Sequence, residues 1–172
     1  KENNIKNFVF SSSCSVYGEP DYLPIDEFAA VKPAKSPYAN TKKIGEDILR
    51  DTSLVNDLQV ISLRYFNPVG AHPSAKIGEY PVGPPLNLFP IVTQTAIGKR
   101  AQMKVFGTDY NTPDGSCIRD YIHVVDLARA HVVAIERMLN AKTKSKYELF
   151  NLGTGNGLWV LEIIKTFESV TG

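Results

Sequence analysis

Three short runs along the chain are apolar almost without interruption and are closed by polar residues. They predict buried strands over Asn7–Ser11, Val60–Tyr65 and Tyr147–Leu152. Elsewhere apolar residues return every three or four positions, which predicts helices over Pro37 to about Leu54, Leu88–Ile97, Val125–Leu139 and Leu158–Val170. Strands alternating with helices imply an α/β fold with a parallel sheet. The stretch from Asn67 to Pro90 breaks both rhythms. It carries Pro68, Pro73, Pro81, Pro84 and Pro85 among glycines and predicts a long loop, a length that compact domains usually reserve for function.

Ligands in open α/β sheets bind beyond the carboxyl ends of the strands. Here those ends bring Ser11, Ser12 and Ser13 after the first strand, Asn67 after the second and Gly153 after the third. The first helix opens Ser36-Pro37-Tyr38-Ala39-Asn40-Thr41-Lys42, an N-cap and N1 proline followed by a tyrosine and a lysine four residues apart. That spacing places phenol and ammonium on one helix face, about 5 to 6 Å apart at Cβ. An unperturbed tyrosine titrates near about 10. A neighbouring positive charge favours the phenolate, as a general base working near neutral pH requires. Tyr-x-x-x-Lys also occurs by chance, and three serines after a strand can simply satisfy turn amides. The weight lies in the ordered set Ser13, Tyr38, Lys42.

Bulk properties narrow the partners. The 172 residues are 43% hydrophobic and 22% charged, as in a soluble globular unit, and 19 basic against 18 acidic residues leave a net charge of +1. No overall basic field argues for nucleic acid and no polybasic cluster for membrane. Cys14 and Cys117 have no ligand spacing, so neither a disulfide framework nor a metal site is expected, and a reducing, cytoplasmic compartment is the default. The start, Lys1-Glu2-Asn3-Asn4, has no initiator methionine and no signal-peptide form, which reads as an internal fragment.

Four segments together carry a family likeness. Phe8-Val9-Phe10-Ser11-Ser12-Ser13-Cys14-Ser15-Val16-Tyr17-Gly18, Ser36 to Lys42, Arg64-Tyr65-Phe66-Asn67-Pro68-Val69-Gly70-Ala71-His72-Pro73 and Arg119-Asp120-Tyr121-Ile122-His123-Val124 resemble the UDP-glucose 4-epimerase family of the extended short-chain dehydrogenase/reductase superfamily. The resemblance runs nearly end to end. It implies a partial Rossmann-type, doubly wound parallel sheet plus part of a smaller substrate-binding domain. Residues 1–66 would close the dinucleotide-binding domain, 67–124 would be mainly substrate-binding, and 125–172 would supply a helix, strand and helix returning to the sheet. The Gly-rich dinucleotide fingerprint and a C-terminal segment of the family are missing, so the resemblance casts the chain as a central fragment. By itself it would bind NAD weakly or not at all and leave its first strand as an unpaired apolar edge.

The resemblance also implies an activity: interconversion of UDP-glucose and UDP-galactose, in galactose metabolism, through transient oxidation at sugar carbon 4 with tightly held NAD. Tyr38 would be the base, Lys42 its cationic support and a donor to the nicotinamide ribose, and Ser13 a hydrogen-bond partner of the hydroxyl being oxidised. Ser11, Tyr65 and Phe66 would join Tyr38 and Lys42 on the cofactor. Asn67, Asn87, Leu88, Lys104, Val105, Phe106 and Arg119 would hold the UDP-sugar, Phe106 covering the base and Arg119 offering its planar fork to the diphosphate. A surface pairing of Arg119 with Asp120 is the competing reading. The full-length family member would be a homodimer, with Ile44, Ile48 and Leu49 available for helix pairing or for the core.

The chain departs from the family pattern at Cys14-Ser15, Leu86 and Tyr80. Cys14 and Ser15 are not acids, which argues against a dehydratase, since expelling water needs an extra acid there. A decarboxylase of the same superfamily and an inactive truncated fragment are the remaining alternatives. Gly153-Thr154-Gly155-Asn156-Gly157 imitates a phosphate-cradling turn but lacks the G-x-G-x-x-G register, and reads as a tight strand-to-helix connection. His72, His123 and His131 form no metal or nucleophile set and receive no catalytic role.

Overall fold

The computed structural model describes residues 4–172, so the first three residues of the expected 1–66 segment lie outside it. The chain divides into two compact units. One takes the chain through Phe66 together with Asp126–Gly153, and the other takes Asn67–Val125 with Thr154–Gly172. The expected third segment, 125–172, is thus shared: its first helix and strand belong with the first unit, and its last helix with the second.

The first unit is built on a parallel sheet of β1 (Asn7–Ser13), β2 (Gln59–Tyr65) and β5 (Tyr147–Leu152), in the order β1-β2-β5. Helix α1 (Pro37–Val55) links β1 to β2 and starts where the sequence predicts. Ser36 caps it by accepting from the Ala39 amide at 3.1 Å, and Pro37 sits in its first turn. Strand alternation divides the side chains between two faces. Ile61 and Leu63 turn to one face and pack with Ala134 and Met138 of α3 (Val124–Leu139), flanked by Val9, Tyr65, Phe150 and Leu152. Phe10, Ser12 and Arg64 turn to the other and meet α1. With a helix against each face the sheet is doubly wound, as expected.

Gly45 explains how closely α1 approaches the sheet. A Cβ there would lie 2.6 Å from the Phe10 ring, so the helix accepts glycine's propensity cost of about 1 kcal/mol at an interior position to seat against β1. A short 3-10 turn, Cys14–Tyr17, follows β1. Its Val16 and Tyr17 are fully buried with Ala29, under Cys14 and Ile25.

In the second unit β3 (Asn67–Val69) pairs parallel with β4 (Ile118–His123), which pairs antiparallel with β6 (Gly157–Trp159). Helices α2 (Leu88–Ala96) and α4 (Val160–Thr171) complete it. The expected loop from Asn67 to Pro90 is therefore shorter: β3 takes its start, α2 takes its end, and residues 70–87 are irregular. The turn at Gly153–Gly157 leads into β6 before the final helix, so it is not a direct strand-to-helix connection. Its amides are already engaged. The Asp120 carboxylate accepts from the Thr154 and Gly155 N–H groups at 2.9 Å and from the Thr154 hydroxyl at 2.7 Å. An anion is thus already built into the turn that looked fit to cradle a phosphate.

Candidate active site

The carboxyl ends of β1 and β2 and the first turns of α1 bring together Ser11, Ser13, Tyr38, Lys42, Tyr65 and Phe66, all in the first unit. The Lys42 ammonium donates to the Ser11 carbonyl at 2.9 Å and lies 5.5 Å from the ring centres of both Tyr38 and Phe10. Tyr38 and Lys42 therefore share a face, as their spacing requires. The Tyr38 ring is 56% exposed, and among the described residues none exchanges a hydrogen bond with its hydroxyl. The phenol is open to a ligand.

Ser13 has a local duty as well. Its Oγ accepts from the Ser15 amide at 3.2 Å and from the Ser15 hydroxyl at 2.9 Å, capping the 3-10 turn. The turn-satisfying role weighed from the sequence is real, and it leaves the Ser13 O–H free to donate. Ser11 and Tyr65 point to the α3 side, where their hydroxyls meet His131 Nε2 at 3.4 and 3.2 Å. His131 Nδ1 lies 2.9 Å from the Leu127 carbonyl, so Nδ1 is the donor of that bond and Nε2 faces the two hydroxyls. Burial pushes the Tyr65 phenol above its ordinary value; the Ser11 hydroxyl opposes this and nearby Tyr38 adds to it.

Behind the exposed face lies a buried ionic network. Glu46, one turn beyond Lys42, accepts from Ser12 Oγ at 2.5 Å and from Arg64 Nε at 2.9 Å on one oxygen, and from Arg64 Nη2 at 2.5 Å on the other. The two side chains are only 7% and 6% exposed. Burial works against the Arg64 charge, but the Glu46 carboxylate that accepts its hydrogen bonds, together with the contact to Tyr17, raises the guanidinium above its ordinary value. That group also covers the Tyr17 ring at 4.5 Å, and the Tyr17 hydroxyl donates to Asn151 at 2.7 Å.

The other predicted residues lie in the second unit. Asn67 opens β3, and its amide donates to the Asp120 carbonyl at 2.8 Å, beside Arg119 on β4. Asn87 precedes α2, which Leu88 begins, and its amide donates to Glu79 at 2.7 Å. Lys104, Val105 and Phe106 lie in an irregular segment, with Phe106 79% exposed. Arg119 is exposed and does not pair with Asp120: its guanidinium donates to the Ile118 carbonyl at 2.8 Å while Asp120 serves the 154–155 turn.

Sequence reasoning gave His131 no catalytic role and missed its hydrogen-bond partners, and it missed the Glu46–Arg64 pair. The histidine carried no motif, because its partners lie on two different strands. The pair left two signals: Tyr38, Lys42 and Glu46 repeat every four residues on one helix face, and Arg64 interrupts an otherwise apolar strand. Among the described residues no group of His, Cys, Asp and Glu could hold a metal ion.

Comparison with known proteins places this geometry. Residues 1–153 match the family described as Epimerase: NAD dependent epimerase/dehydratase family. A UDP-glucose 4-epimerase from Yersinia enterocolitica is 51% identical over 170 residues, covering 98% of this chain and 49% of the relative. The crystal structure of the Bifidobacterium longum UDP-glucose 4-epimerase, in complex with NAD+ and UDP, superposes with a TM-score of 0.90 at 46% identity, covering 98% of this chain and 49% of that one. The Stenotrophomonas maltophila enzyme, with bound NAD and formylated UDP-arabinopyranose, gives 0.92 at 48% identity, covering 97% and 49%. The chain spans about half the length of the relatives it matches. With a parallel, doubly wound sheet, a Tyr-x-x-x-Lys face at its strand ends and a match running over most of its length, the chain belongs to the NAD dependent epimerase/dehydratase family.

Proposed function

We propose that the full-length protein containing this chain is an isomerase that interconverts UDP-glucose and UDP-galactose, with NAD as cofactor. The observation that carries this reading is the exposed Tyr38 phenol beside a Lys42 ammonium anchored on the Ser11 carbonyl. NAD, when bound, would supply a reversible hydride acceptor for sugar carbon 4.

The residues present fit such a cofactor. Lys42 uses one of its three N–H donors on Ser11 and keeps two for ribose hydroxyls. Ser11, Tyr65 and Phe66 form the neighbouring strand ends; Phe66 offers an aromatic surface to the nicotinamide side, while the Ser11 and Tyr65 hydroxyls turn to His131. Tyr38 Oη takes the proton of the 4-hydroxyl as general base and gives it back on the return step. The Lys42 charge stands beside the ring while the phenol carries negative charge. Ser13 donates to the same sugar oxygen and keeps it aligned with Tyr38.

Asn67, Asn87, Leu88, Lys104, Val105, Phe106 and Arg119 hold the UDP part in this reading. The exposed Phe106 ring suits a uracil face, and Lys104 and Arg119 bring positive charge to the diphosphate. No helix among the described residues is long and apolar enough to cross a membrane, and a net charge of +1 gives no overall basic field that calls for nucleic acid. A cytoplasmic homodimer accords with the thiol usage and with Ile44 and Ile48, which are exposed on α1.

Incubating the full-length protein with UDP-galactose and following the sugar protons by NMR tests the reading. A mixture of UDP-galactose and UDP-glucose at equilibrium is expected. UDP-galactose left unchanged in the presence of NAD would overturn it.

A further inference from the structure

Each element that carries a candidate reaction group also carries a member of the buried network, one residue or one turn away. Ser12 lies between Ser11 and Ser13 on β1, Arg64 immediately precedes Tyr65 on β2, and Glu46 is one turn beyond Lys42 on α1. Strand alternation sends Ser12 and Arg64 to the α1 side. There a single carboxylate gathers three hydrogen bonds, two of them in the bidentate fork that fixes a guanidinium in both distance and plane.

Stability alone is a poor reason for such a pair. Withdrawing both charges from water costs several kcal/mol each, and apolar replacements of similar volume are often neutral or stabilising. What the fork supplies is direction. With the Ser12 bond it ties α1 to both strands at once, at the level of the sheet where Gly45 lets the helix seat against Phe10. A helix held only by apolar contacts could slide or rotate at small cost, and a misplacement of about 1 Å at a reacting group can cost roughly 10²-fold in rate.

We propose that Glu46, Arg64 and Ser12 are positioning residues: they set the depth and rotation of α1 on the strand ends, and so hold Tyr38 and Lys42 in register with Ser11 and Ser13. The proposal rests on the epimerase reading for its kinetic consequence, though not for its structural one.

Three variants of the full-length protein test it: Ser12→Ala, which removes only the tie to β1; Glu46→Gln, which removes the charge; and the double replacement Glu46→Met with Arg64→Met. The expected result is a kcat lower by roughly 10-fold for Ser12→Ala and roughly 10²-fold for the other two, with KM little changed. The double variant should melt at or near the wild-type temperature and still be slow. Crystals of the variants should show Lys42 Nζ out of hydrogen-bond distance of the Ser11 carbonyl.

A double variant with wild-type stability and wild-type kcat would overturn the proposal. If that variant does not fold, Ser12→Ala decides: wild-type kcat with the Lys42–Ser11 bond intact overturns it, and a slowed enzyme with a displaced α1 supports it. Should the wild-type protein convert no UDP-hexose, the functional reading fails separately, and the Lys42–Ser11 distance in the variants still decides whether the network positions the helix.

Discussion

Replacing Tyr38 by phenylalanine separates chemistry from folding with one atom. The ring is 56% exposed, and within the described residues its hydroxyl has no hydrogen-bond partner to lose. Folding should therefore change by no more than about 0.5 kcal/mol, or roughly 1–2 °C in melting temperature for a domain of this size. The rate should change far more. A positioned general base typically contributes about 10²–10⁴-fold, equal to roughly 2.7–5.4 kcal/mol of barrier. The loss in catalysis should thus exceed any loss in stability at least about fivefold in free energy. The assay couples UDP-glucose formation from UDP-galactose to UDP-glucose dehydrogenase, read as NADH absorbance, alongside a thermal melt and the content of bound NAD. Loss of turnover with melt and cofactor retained is the expected outcome. Turnover within about 10-fold of wild type would refute the assignment, and a collapsed melt would refute the claim that the hydroxyl is structurally idle.

Four further outcomes are expected. Lys42→Met removes the donor that holds the Ser11 carbonyl and should lower kcat by roughly 10²-fold while weakening NAD retention, seen as cofactor lost on gel filtration. Leu63→Ala opens a cavity among Ile61, Ala134 and Met138 and should cost about 2–5 kcal/mol in urea unfolding. Glu148 takes hydrogen bonds from Arg137 and the Lys144 amide, which hold its carboxyl below the ordinary value. A depressed carboxylate contributes stability that is present above its unfolded value of 4.5 and is lost as pH falls through the folded one. Glu148→Gln should therefore lower the melting temperature at pH 7 and flatten its fall below pH 4.5. Tyr147 is the opposite case: burial pushes its phenol from 10.0 to about 12, so its contribution is intact below pH 10 and is lost as pH rises toward 12. Tyr147→Phe should remove that alkaline step from a melting-temperature profile.

The strands and helices that carry the reaction groups were legible because they are long and strongly periodic. Apolar runs located β1, β2 and β5, and Ser36-Pro37 located the start of α1. The second unit was harder to read. β3 contains Pro68, β4 has Arg119 and Asp120 at its centre, and β6 begins at Gly157, so none presents the apolar run or clean alternation that marks a strand. Their pairing depends on contacts far apart in sequence, such as the Asn67 amide on the Asp120 carbonyl. Spacing and the family likeness singled out Ser13, Tyr38 and Lys42 as candidates, while the side chains packed behind them stayed hidden. Glu46 looked like one more charge on a helix until Arg64 and Ser12 closed around it, and His131 has no meaning apart from the hydroxyls of Ser11 and Tyr65. Spacing within one element can reveal a face, but the partner brought from another element appears only on folding.

The most direct measurement is the crystal structure of the full-length protein with NAD and UDP-glucose bound. The account predicts Tyr38 Oη within about 2.6–3.2 Å of the sugar's 4-hydroxyl oxygen, with Lys42 still donating to the Ser11 carbonyl. A complex in which another group occupies that position, or in which the phenol faces away from carbon 4, would contradict it.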